Sequence, residues 1–462
     1  MSDSTLPLHV VILAAGQGSR MRSRLPKVLH PVGGRPMLHH VMSTARALGA
    51  EAIHTVIGHG AEAVRDATPG EATFWVHQAE QLGTGHAVAQ ALPNLPDDAR
   101  VLVLYGDVPL TSRETLAHLA DQISDRSMAL LTVTMADPDG YGRILRNERG
   151  EVTAIVEQKD ATEEQRAITE VNTGILGLSA RHLKDWLPAL SSNNAQGEYY
   201  LTDVIAMAVT QDVRVRVAQP DTVYEVQGVN NRQQLAVLER WYQQNEAARL
   251  MQEGATLADP ARVDVRGHVR VGWDVSIDVN AVFEGEVTIE DGVRIGPDCV
   301  IRDSILRKGA VIEAHSIVEG SDVGPSASVG PFARVRPGTR LATRSKVGNF
   351  VETKKSEVGE GSKINHLSYV GDAVLGRDVN VGAGTITCNY DGVNKHRTVL
   401  GDGVFVGSNT ALVAPVTVAD RATIGAGSTI TRDIESQELA VARGRQRNIA
   451  NWQRPTNPSD QE

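Results

Sequence analysis

The first residues with chemical potential follow an apolar run near the start of the chain. The stretch VVILAAGQGSRM, residues 10–21, reads as a buried strand that breaks into a glycine loop, the outline of a phosphate-binding turn. A dinucleotide-binding loop would need a third glycine where Met21 stands, and a P-loop would need a lysine followed by serine or threonine. Gly16, Gly18 and Arg20 therefore indicate a phosphate site of another kind.

A lysine and a carboxylate stand near this loop or at a similar strand end. Lys27 lies in LPKVLH shortly after the loop, and Asp107 ends the apolar run in LYGDVPL. A lone aspartate in such a place is often only a helix cap. A divalent cation that bridges phosphates, however, needs one or two oxygen ligands from the protein. Residue type and position leave both roles open for Asp107.

The second half of the chain offers a different chemistry. Imidazole titrates near neutral pH and can act as a general base. Four histidines lie between residues 254 and 462, namely His268, His315, His366 and His396. A lone histidine is more often structural than catalytic, so residue type alone does not choose among them.

The first half alternates predicted strands and helices. HVVILAAG, EAIHTVIGHG and RVLVLYGDVPL read as strands, and PMLHHVMSTARALGA has helical periodicity. This βαβ order predicts an open, mostly parallel sheet with helices on both faces. Ligands of such sheets bind at the carboxyl ends of the strands, where the glycine loop and Asp107 both belong.

A long helical segment, residues 232–252, follows this half, with Leu235, Leu238 and Tyr242 on one face. We interpret it as a linker helix, which gives a domain at 1–232, a linker at 233–253 and a second domain at 254–462.

The second domain has a period of six. Thirteen of the fifteen residues met in steps of six from Val263 to Val347 are Val, Ile or Leu, and a small residue commonly follows the aliphatic one. The pattern predicts a prism in which each hexapeptide is a short strand plus a corner and three hexapeptides make one coil. A β-sandwich would alternate at two instead.

Two features of this region could serve a ligand. Arg336 and Lys354 are three hexapeptides apart, which is one coil, so they should stack on one face as a cationic pair. Alternatively, these residues are ordinary charged side chains at the solvent-exposed corners. Lys355 is also a candidate for the role given to Lys354. The stretch TCNYDGVNKHRT interrupts the rhythm between Thr387 and Leu400, which indicates an inserted functional loop.

Composition excludes several classes of function. The formal net charge is −10 and no long basic run is present, so nucleic acid and acidic membrane surfaces are not expected partners. We find no signal peptide, and no apolar stretch approaches the ~18 residues of a transmembrane helix. Cys299 and Cys388 form neither a metal spacing nor a disulfide framework, so we expect a cytoplasmic protein.

The motifs together resemble a known family. L-A-A-G-x-G-[ST]-R-M followed by LPKVLHPVGGRPML is similar to the signature of sugar-1-phosphate nucleotidyltransferases. Joined to hexapeptides that contain NHLSYVGDA and GAGTITCNYDG, it resembles the bacterial bifunctional N-acetylglucosamine-1-phosphate uridylyltransferase/glucosamine-1-phosphate acetyltransferases, from about residue 9 to about residue 455. Ser19 and Gln17 are small departures, where the family commonly has Thr and often Lys.

The resemblance implies a fold and two activities. The fold is an α/β nucleotidyltransferase domain, Rossmann-like with a mostly parallel sheet, followed by a left-handed parallel β-helix. The second domain would transfer acetyl from acetyl-CoA to glucosamine 1-phosphate. The first would transfer uridylyl from UTP to N-acetylglucosamine 1-phosphate with Mg²⁺, releasing pyrophosphate. Homotrimers formed through the β-helix, with acetyl sites shared between subunits, and a supply of precursor for peptidoglycan and lipopolysaccharide are also implied.

The resemblance also assigns residues. The nucleotide and sugar positions of the uridylyl site would be Leu13, Ala14, Ala15, Gly16, Arg20, Lys27, Gln78, Gly83, Thr84, Tyr105, Gly106, Asp107, Gly142, Glu157, Asn172 and Asn230. Asp107 and Asn230 would be the Mg²⁺ ligands, with Asn231 as a neighbouring competitor. His366 would be the catalytic base of acetyl transfer. Its substrate would meet Arg336, Lys354, Tyr369 and Asn380, and acetyl-CoA would meet Ala383, Asn389, Tyr390, Ser408, Ala426 and Arg443.

Three other functions compete with this one. The first is a single-function sugar nucleotidyltransferase whose β-helix only oligomerises or regulates, which the motif around His366 disfavours. The second is a β-helix metal enzyme of the γ-carbonic anhydrase kind, whose His-x₄-His pair is missing because residue 371 is glycine. The third is a scaffold without catalysis, which leaves Lys27 and Asp107 unexplained.

Overall fold

The computed structural model describes residues 6–70 and 72–455. The chain divides into two compact units, Met1–Asn245 and Glu246–Glu462. Each unit has its own buried core, and each is described by itself below.

The first unit contains eleven strands among its described residues. They are β1 (Leu8–Ala14), β2 (Pro31–Val32), β3 (Arg35–Pro36), β4 (Ala52–Ile57), β5 (Phe74–His77), β6 (Arg100–Tyr105), β7 (Ser127–Thr134), β8 (Arg143–Arg146), β9 (Val152–Val156), β10 (Glu170–Ser179) and β11 (Arg214–Ala218). The helices are α1 (Met37–Ala47), α2 (Ala61–Asp66), α3 (Thr84–Ala89), α4 (Arg113–Ala120), α5 (Glu163–Arg166), α6 (Ala180–Trp186), α7 (Val204–Thr210) and α8 (Arg232–Glu253). Short 3₁₀ turns lie at Ser19–Met21, Lys27–Leu29, Leu92–Asn94, Leu187–Ala189, Leu201–Asp203 and Val223–Val226.

The main sheet of this unit is mixed and mostly parallel. Its strand order is β11-β7-β10-β6-β1-β4-β5, with β8 and β9 attached beside β10. β1 runs parallel to β4 and β6, β4 runs parallel to β5, and β7 runs parallel to β11. β10 is antiparallel to its neighbours β6 and β7. The predicted sheet is therefore confirmed, with one reversed strand near its middle.

Both faces of the sheet are covered by apolar side chains. Alternate residues of β1 point to opposite sides, so Val10 and Ile12 join one core cluster while Val11 and Leu13 join the other. The first cluster includes residues of α1 and α4, and the second includes residues of α3, α6 and α7. Because β1, β5 and β6 share one direction, their carboxyl ends lie along the same edge of this packed sheet.

Helix α8 spans the boundary between the units. Leu238 is buried in a small cluster with Met21 and Met37, and Leu235 and Tyr242 pack against that cluster, as the shared face predicted. Near the other end of the helix, Leu250 belongs to the core of the second unit.

The second unit is built from short parallel strands. They are β12 (Ala255–Leu257), β13 (Val263–Val271), β14 (Val275–Ile277), β15 (Ala281–Ile289), β16 (Arg294–Ile295), β17 (Val300–Arg302), β18 (Ile305–Leu306), β19 (Val311–Ile312), β20 (Ile317–Glu319), β21 (Asp322–Val323), β22 (Ser328–Val329), β23 (Arg334–Val335), β24 (Arg340–Leu341), β25 (Lys346–Asn349), β26 (Glu352–Lys354), β27 (Glu357–Val358), β28 (Lys363–His366), β29 (Tyr369–Gly371), β30 (Ala373–Leu375), β31 (Asn380–Val381), β32 (Ile386–Cys388), β33 (Thr398–Leu400), β34 (Phe405–Val406), β35 (Ala411–Val413), β36 (Val416–Val418), β37 (Thr423–Ile424), β38 (Thr429–Ile430) and β39 (Leu439–Ala440). A 3₁₀ turn lies at Pro260–Arg262.

Most strands pair with the third strand after them, which lies one coil later. This arrangement gives the left-handed parallel β-helix that was predicted. One face consists of β12, β14, β16, β19, β22, β25, β28, β31, β34, β37 and β39. Most coils have one of two lengths: the pairing Ser328↔Lys346 spans three full hexapeptides, and Lys346↔Lys363 spans one residue fewer. The interior is one continuous apolar core.

Most hexapeptides bury two side chains rather than one, which corrects part of the predicted column. A small or short residue comes first and a larger aliphatic residue follows two positions later, as with Ser362 and Ile364. Ile305, assigned to the core by counting in sixes, is instead 37% exposed, while its neighbour Leu306 is fully buried.

The same error affects Val311 and Ile317, which are half-buried, whereas Ile312 and Val318 lie in the core. The reason is a coil at this point that is one residue short of three hexapeptides, seen in the pairing Thr288↔Ile305, which shifts the inward positions by one.

Two further features concern surfaces. The predicted insertion is present: the chain leaves the coils after β32 (Ile386–Cys388) and rejoins them at β33 (Thr398–Leu400), with Tyr390 bridging to Lys395.

Within the described ranges, no helix has both the length and the apolar character needed to cross a membrane.

Candidate functional site

A cavity of about 220 Å³ opens at the carboxyl ends of β1, β5 and β6 in the first unit. Ten residues of the predicted uridylyl site line it, namely Leu13, Ala14, Ala15, Gly16, Lys27, Gln78, Gly83, Thr84, Tyr105 and Asp107. Four lining residues were not predicted, namely Val28, Gln81, Ala87 and Glu198. The glycine loop and the acid from two separate strand ends therefore do meet in one place.

The two glycines of the loop have different surroundings. A Cβ on Gly16 would meet no atom within 4 Å, so this residue borders open space. Gly18 has a φ of +63°, and a Cβ there would lie 2.6 Å from the Cβ of Lys27. Gly18 thus lets the backbone turn and lets Lys27 approach the loop. Arg20 is exposed and is not part of the cavity wall.

Lys27, Asp107 and Asn230 converge. The Lys27 ammonium pairs with the Asp107 carboxylate, and its Nζ lies 3.3 Å from the amide oxygen of Asn230. Both charged side chains are mostly buried, at 14% and 15% exposure. The backbone N–H of Val229 donates to the Asp107 carbonyl at 2.9 Å, which holds the two segments together.

The two neighbouring asparagines have different environments. Asn231 Oδ1 accepts a hydrogen bond from the backbone N–H of Gln234 at 2.9 Å, the contact of a helix cap at the start of α8. Asn230 instead turns its amide oxygen toward Lys27. Of the pair left open by the sequence, Asn230 is the one beside Asp107.

These oxygens suit a magnesium ion. A carboxylate and an amide oxygen already share one cation, the Lys27 ammonium, and Mg²⁺ takes one or two protein oxygens and keeps several waters. In the part of the chain that the structure describes, no cluster of three or more His, Cys, Asp or Glu could hold a metal by protein ligands alone. A metal here would therefore need substrate or water oxygens as well.

A second group of predicted residues lies behind Tyr105. Glu157 accepts a hydrogen bond from the Thr202 hydroxyl at 3.1 Å, and a Cβ on Gly142 would lie 3.4 Å from either carboxylate oxygen. Asn172 is buried and donates its backbone N–H to the Gly142 carbonyl at 2.8 Å. Glu157, Gly142 and Asn172 therefore lie together, outside the wall of the cavity itself.

The charges of these acids reach Tyr105. Burial raises the pKa of the Tyr105 phenol, and the carboxylates of Glu157 and Asp107 raise it further. Burial also raises the pKa of Glu157, assisted by Asp160 and opposed by the Thr202 hydrogen bond. Gly106 lies between Tyr105 and Asp107, and a Cβ there would be 3.1 Å from Val28.

In the β-helix, one corner column carries five of the eleven predicted acetyl-transfer residues. The parallel registers Lys346↔Lys363, Lys363↔Asn380, Asn380↔Phe405 and Phe405↔Thr423 align five strands of one face. Three residues beyond each aligned position stand, in order, Asn349, His366, Ala383, Ser408 and Ala426. Arg443 closes this corner column by donating from Nη1 to the Ala426 carbonyl at 2.9 Å.

His366 has one side-chain partner. Its Nδ1 lies 2.6 Å from Oδ1 of Asn349, the residue paired with it one coil earlier. Because an amide oxygen can only accept, Nδ1 carries a proton, and in the neutral imidazole the lone pair is then on Nε2. The imidazole is exposed, so Nε2 is open to an incoming substrate. Asn349 was not predicted, although it precedes His366 by the length of one short coil.

The predicted cations also align. Val335 pairs with Thr353, so Arg336 and Lys354 follow each other in adjacent coils, as the spacing of three hexapeptides predicted. Arg336 Nη1 lies 2.7 Å from Glu352, whose hydrogen bond raises the pKa of the guanidinium. Glu352 is a further residue that sequence reasoning missed. Lys355 occupies the adjacent corner, with a φ of +46°.

Tyr369 and Asn389 converge on the coil after Lys354. A Cβ on Gly371 would overlap the Tyr369 hydroxyl and would lie 3.0 Å from Nδ2 of Asn389. Asn389 also donates this amide to the Asp372 carboxylate. Tyr390 lies in the inserted loop beneath the Lys395 ammonium, which sits 3.8 Å from its ring centre.

Asn380 is the predicted residue that lies apart from the others. It pairs with Lys363 at the beginning of β28, whereas His366 ends that strand. Three residues of strand separate the two positions, about 10 Å along the face. Asn380 therefore lies at the opposite end of this face from the corner column.

Comparisons with known proteins cover both units. Residues 10–255 match the family described as MobA-like NTP transferase domain, residues 265–343 match the GMPPB C-terminal domain, and residues 397–432 match six repeats of the bacterial transferase hexapeptide. Three similar proteins each bear the name bifunctional protein GlmU. The protein from Marinobacter nauticus is 71% identical over 97% of this chain and 99% of its own length. Those from Stutzerimonas stutzeri and Idiomarina loihiensis are 61% and 56% identical, over 98% and 97% of this chain and 100% and 99% of theirs.

Proposed function

The chain belongs to the family of bifunctional proteins named GlmU, and from this membership we propose how its residues divide the work of two reactions. The enzyme transfers acetyl to glucosamine 1-phosphate and uridylyl to N-acetylglucosamine 1-phosphate, as predicted. The alternative of a single-function nucleotidyltransferase is not favoured, because the relatives match across both units.

We place uridylyl transfer in the cavity at the ends of β1, β5 and β6. The sugar phosphate oxygen attacks the α-phosphorus of UTP, the bond to the β-phosphate oxygen breaks, and pyrophosphate leaves. Little covalent chemistry falls to the protein, so positioning and charge neutralisation dominate. Backbone groups of residues 13–16 lie close to the nucleotide, and Lys27 and Arg20 supply positive charge for the phosphates.

Asp107 and Asn230 are the proposed protein ligands of Mg²⁺. When bound, the ion would neutralise charge on the phosphate oxygens. Lys27 shares the same two oxygens, so the lysine must turn toward the phosphates when substrate binds. Gln78, Gly83 and Thr84 meet the uracil, while Gly142, Glu157 and Asn172 meet the sugar.

Acetyl transfer belongs to the corner column of Asn349, His366, Ala383, Ser408 and Ala426. The substrate amine attacks the thioester carbon, Nε2 of His366 takes the proton that the amine sheds, and the carbon–sulfur bond breaks to release the CoA thiolate. The small side chains of Ala383 and Ala426, with Ser408 between them, give a long thin cofactor room along three coils.

The substrate phosphate is bound by Arg336 and Lys354. Tyr369 and Asn389 contact the sugar from the same side, with Tyr390 and Arg443 at the cofactor. Since Asn380 lies about 10 Å along the face from His366, we propose that a second copy of the chain completes each acetyl site, in a homotrimer formed through the β-helix. The protein acts in the cytoplasm, and its product supplies peptidoglycan and lipopolysaccharide synthesis.

The single observation behind this division is that each unit holds its own cluster of charged groups, Lys27 with Asp107 in the first and Arg336 above Lys354 in the second. We would incubate the full chain with glucosamine 1-phosphate, acetyl-CoA, UTP and Mg²⁺, omitting one component at a time. UDP-N-acetylglucosamine should form only from the complete mixture. Omitting UTP or Mg²⁺ should leave N-acetylglucosamine 1-phosphate.

A His366→Ala variant supplies the matched test. Its kcat for acetyl transfer should fall by ~10²- to 10⁴-fold, the usual contribution of a general base. Pyrophosphate release from UTP and N-acetylglucosamine 1-phosphate should be unchanged. Retention of more than half of the acetyl-transfer rate in a folded variant would mean that another group is the base, with His396 the next to test.

A further inference from the structure

Gln78 is buried in the wall of the uridylyl cavity, and its side-chain amide has two partners on one end. The residue is 3% exposed, and its backbone N–H donates to the Ile57 carbonyl at 2.8 Å, so its backbone is held in place. Nε2 lies 3.4 Å from the Gly83 carbonyl oxygen and 3.1 Å from Nδ1 of His86.

These contacts determine which end of the Gln78 amide is the oxygen and which is the NH₂ group. The Gly83 carbonyl can only accept, so the atom that faces it must be the NH₂ group of Gln78. His86 Nδ1 meets the same NH₂ group, and therefore it must accept as well. His86 is then neutral with its proton on Nε2, and it holds the Gln78 amide against a flip.

The orientation leaves one polar atom for a ligand. Among the residues that the structure describes, no donor lies within hydrogen-bond distance of Gln78 Oε1, and Gln78 borders the cavity. An amide oxygen presents an acceptor and no donor. At this point, the cavity therefore favours a base that presents a hydrogen-bond donor to Gln78 Oε1.

We propose that His86 is a positioning residue for base selection, because it holds Gln78 Oε1 toward the N3–H of uracil. Cytosine carries a lone pair at its N3, which would face that oxygen and be repelled. This inference rests on the proposed placement of the uracil beside Gln78. Removing the Nδ1 acceptor frees the amide to rotate, and the distinction between the two bases weakens.

The test compares UTP and CTP as substrates of the full chain, with N-acetylglucosamine 1-phosphate and Mg²⁺. In His86→Leu, which has no acceptor, the ratio of kcat/KM for UTP over CTP should fall about 5- to 50-fold, the range expected for a lost buried hydrogen bond. His86→Asn places an amide oxygen near the position of Nδ1 and should keep the ratio within about threefold of wild type. His86→Ala should behave as His86→Leu does and replaces it if that variant does not fold.

The outcomes separate this proposal from the proposed function. A wild-type protein that releases no pyrophosphate with UTP would contradict uridylyl transfer itself. A folded His86→Leu or His86→Ala variant that turns over UTP with the wild-type selectivity would overturn the role of His86 alone. Loss of selectivity in His86→Asn as large as in His86→Leu would also overturn it, since packing and not the acceptor would then be responsible. Acetyl transfer should be unchanged in all three variants.

Discussion

The imidazole of His366 and the amide of Asn349 stand one above the other in adjacent coils, with 2.6 Å between Nδ1 and Oδ1. The contact holds one tautomer of the histidine, and it aims the unprotonated nitrogen outward. The parallel register of β25 and β28 brings the pair together, so the proposed catalytic base and its orienting partner are built from the regular repeat of the fold.

Replacing Asn349 with alanine should slow acetyl transfer without removing the base. Loss of the acceptor lets the ring rotate and lets the proton occupy either nitrogen, so kcat should fall on the order of 10- to 100-fold. Asn349→Asp keeps an acceptor and adds a negative charge, which raises the pKa of the imidazole. The acid limb of its pH–rate profile should therefore move to higher pH. An Asn349→Ala variant with the wild-type rate and pH profile would argue against this role.

Replacing Asp107 with alanine should abolish only one of the two reactions. Pyrophosphate release should fall by at least about 10²-fold, because charge on the phosphates would lose its stabilisation in the cavity. Acetyl transfer develops no phosphoryl charge and should stay near normal. Asp121→Ala, which removes an exposed carboxylate at the end of α4, is the matched control. Equal loss of both activities in soluble Asp107→Ala would contradict the assignment.

Gly371→Ala should damage the sugar side of the acetyl site. The backbone of this glycine lies outside the left-handed region, so alanine strains no dihedral, but its Cβ would overlap the Tyr369 hydroxyl. The KM for glucosamine 1-phosphate should rise about tenfold, and uridylyl transfer should be unaffected. Tyr369→Phe removes the nearer overlapping atom, the hydroxyl oxygen, and leaves Cζ at 2.7 Å. The double variant should therefore be somewhat less impaired than the sum of the two single changes. Full additivity would show that Gly371 and Tyr369 act independently.

The first unit should lose stability in mild acid. His9 Nδ1 lies 3.0 Å from His54 Nε2, both side chains are buried, and burial lowers the pKa of His54 to about 4, with His9 adding to the effect. The folded pKa is below the ordinary 6.5, so the unfolded chain binds more protons between pH 6.5 and 4 and the free energy of unfolding falls as pH falls.

We expect a loss on the order of 2 kcal/mol across that range. Calorimetry of the full chain between pH 7.5 and 5 would measure it as a falling transition temperature for the first unit. His54→Leu should reduce the pH dependence without abolishing it, because burial also lowers the pKa of His9, His30, His39, His40 and His182. His59→Leu, at an exposed histidine, should leave it as in wild type. A wild-type transition that does not move with pH would disprove this coupling.

Much of the uridylyl cavity was predictable because its residues sit at strand ends. The glycine loop and Asp107 follow apolar runs, and parallel strands bring such ends together whatever the details of packing. Gln81 was missed although it lies between the predicted Gln78 and Gly83, and Glu198 was missed because it stands outside the motifs. The distinction between Asn230 and Asn231 depended on which one caps α8, a choice that only the local backbone reveals.

In the β-helix, the repeat could be predicted from the sequence, but the inward-facing positions could be predicted only in part. Its period was plain from the sequence, yet the inward register was wrong at Ile305, Val311 and Ile317. Aliphatic residues occur on both sides of the strand there, so counting in sixes could not detect a coil that is one residue short. Asn349 escaped notice for a similar reason, because a short coil separates it from His366 and a short coil is not a whole number of hexapeptides.

The number of coils in the corner column sets the distance between its residues along the axis of the β-helix. Each coil advances the chain by about 4.8 Å along the prism axis, so the number of coils between His366 and Ala426 determines how far the reacting end of a bound cofactor lies from its other end. Corners absorb single insertions and deletions, as the two coil lengths show, but a whole added coil would carry the base away from the thioester by one full step. If acetyl-CoA lies along this corner column as proposed, its length limits the number of coils that can separate His366 from Ala426.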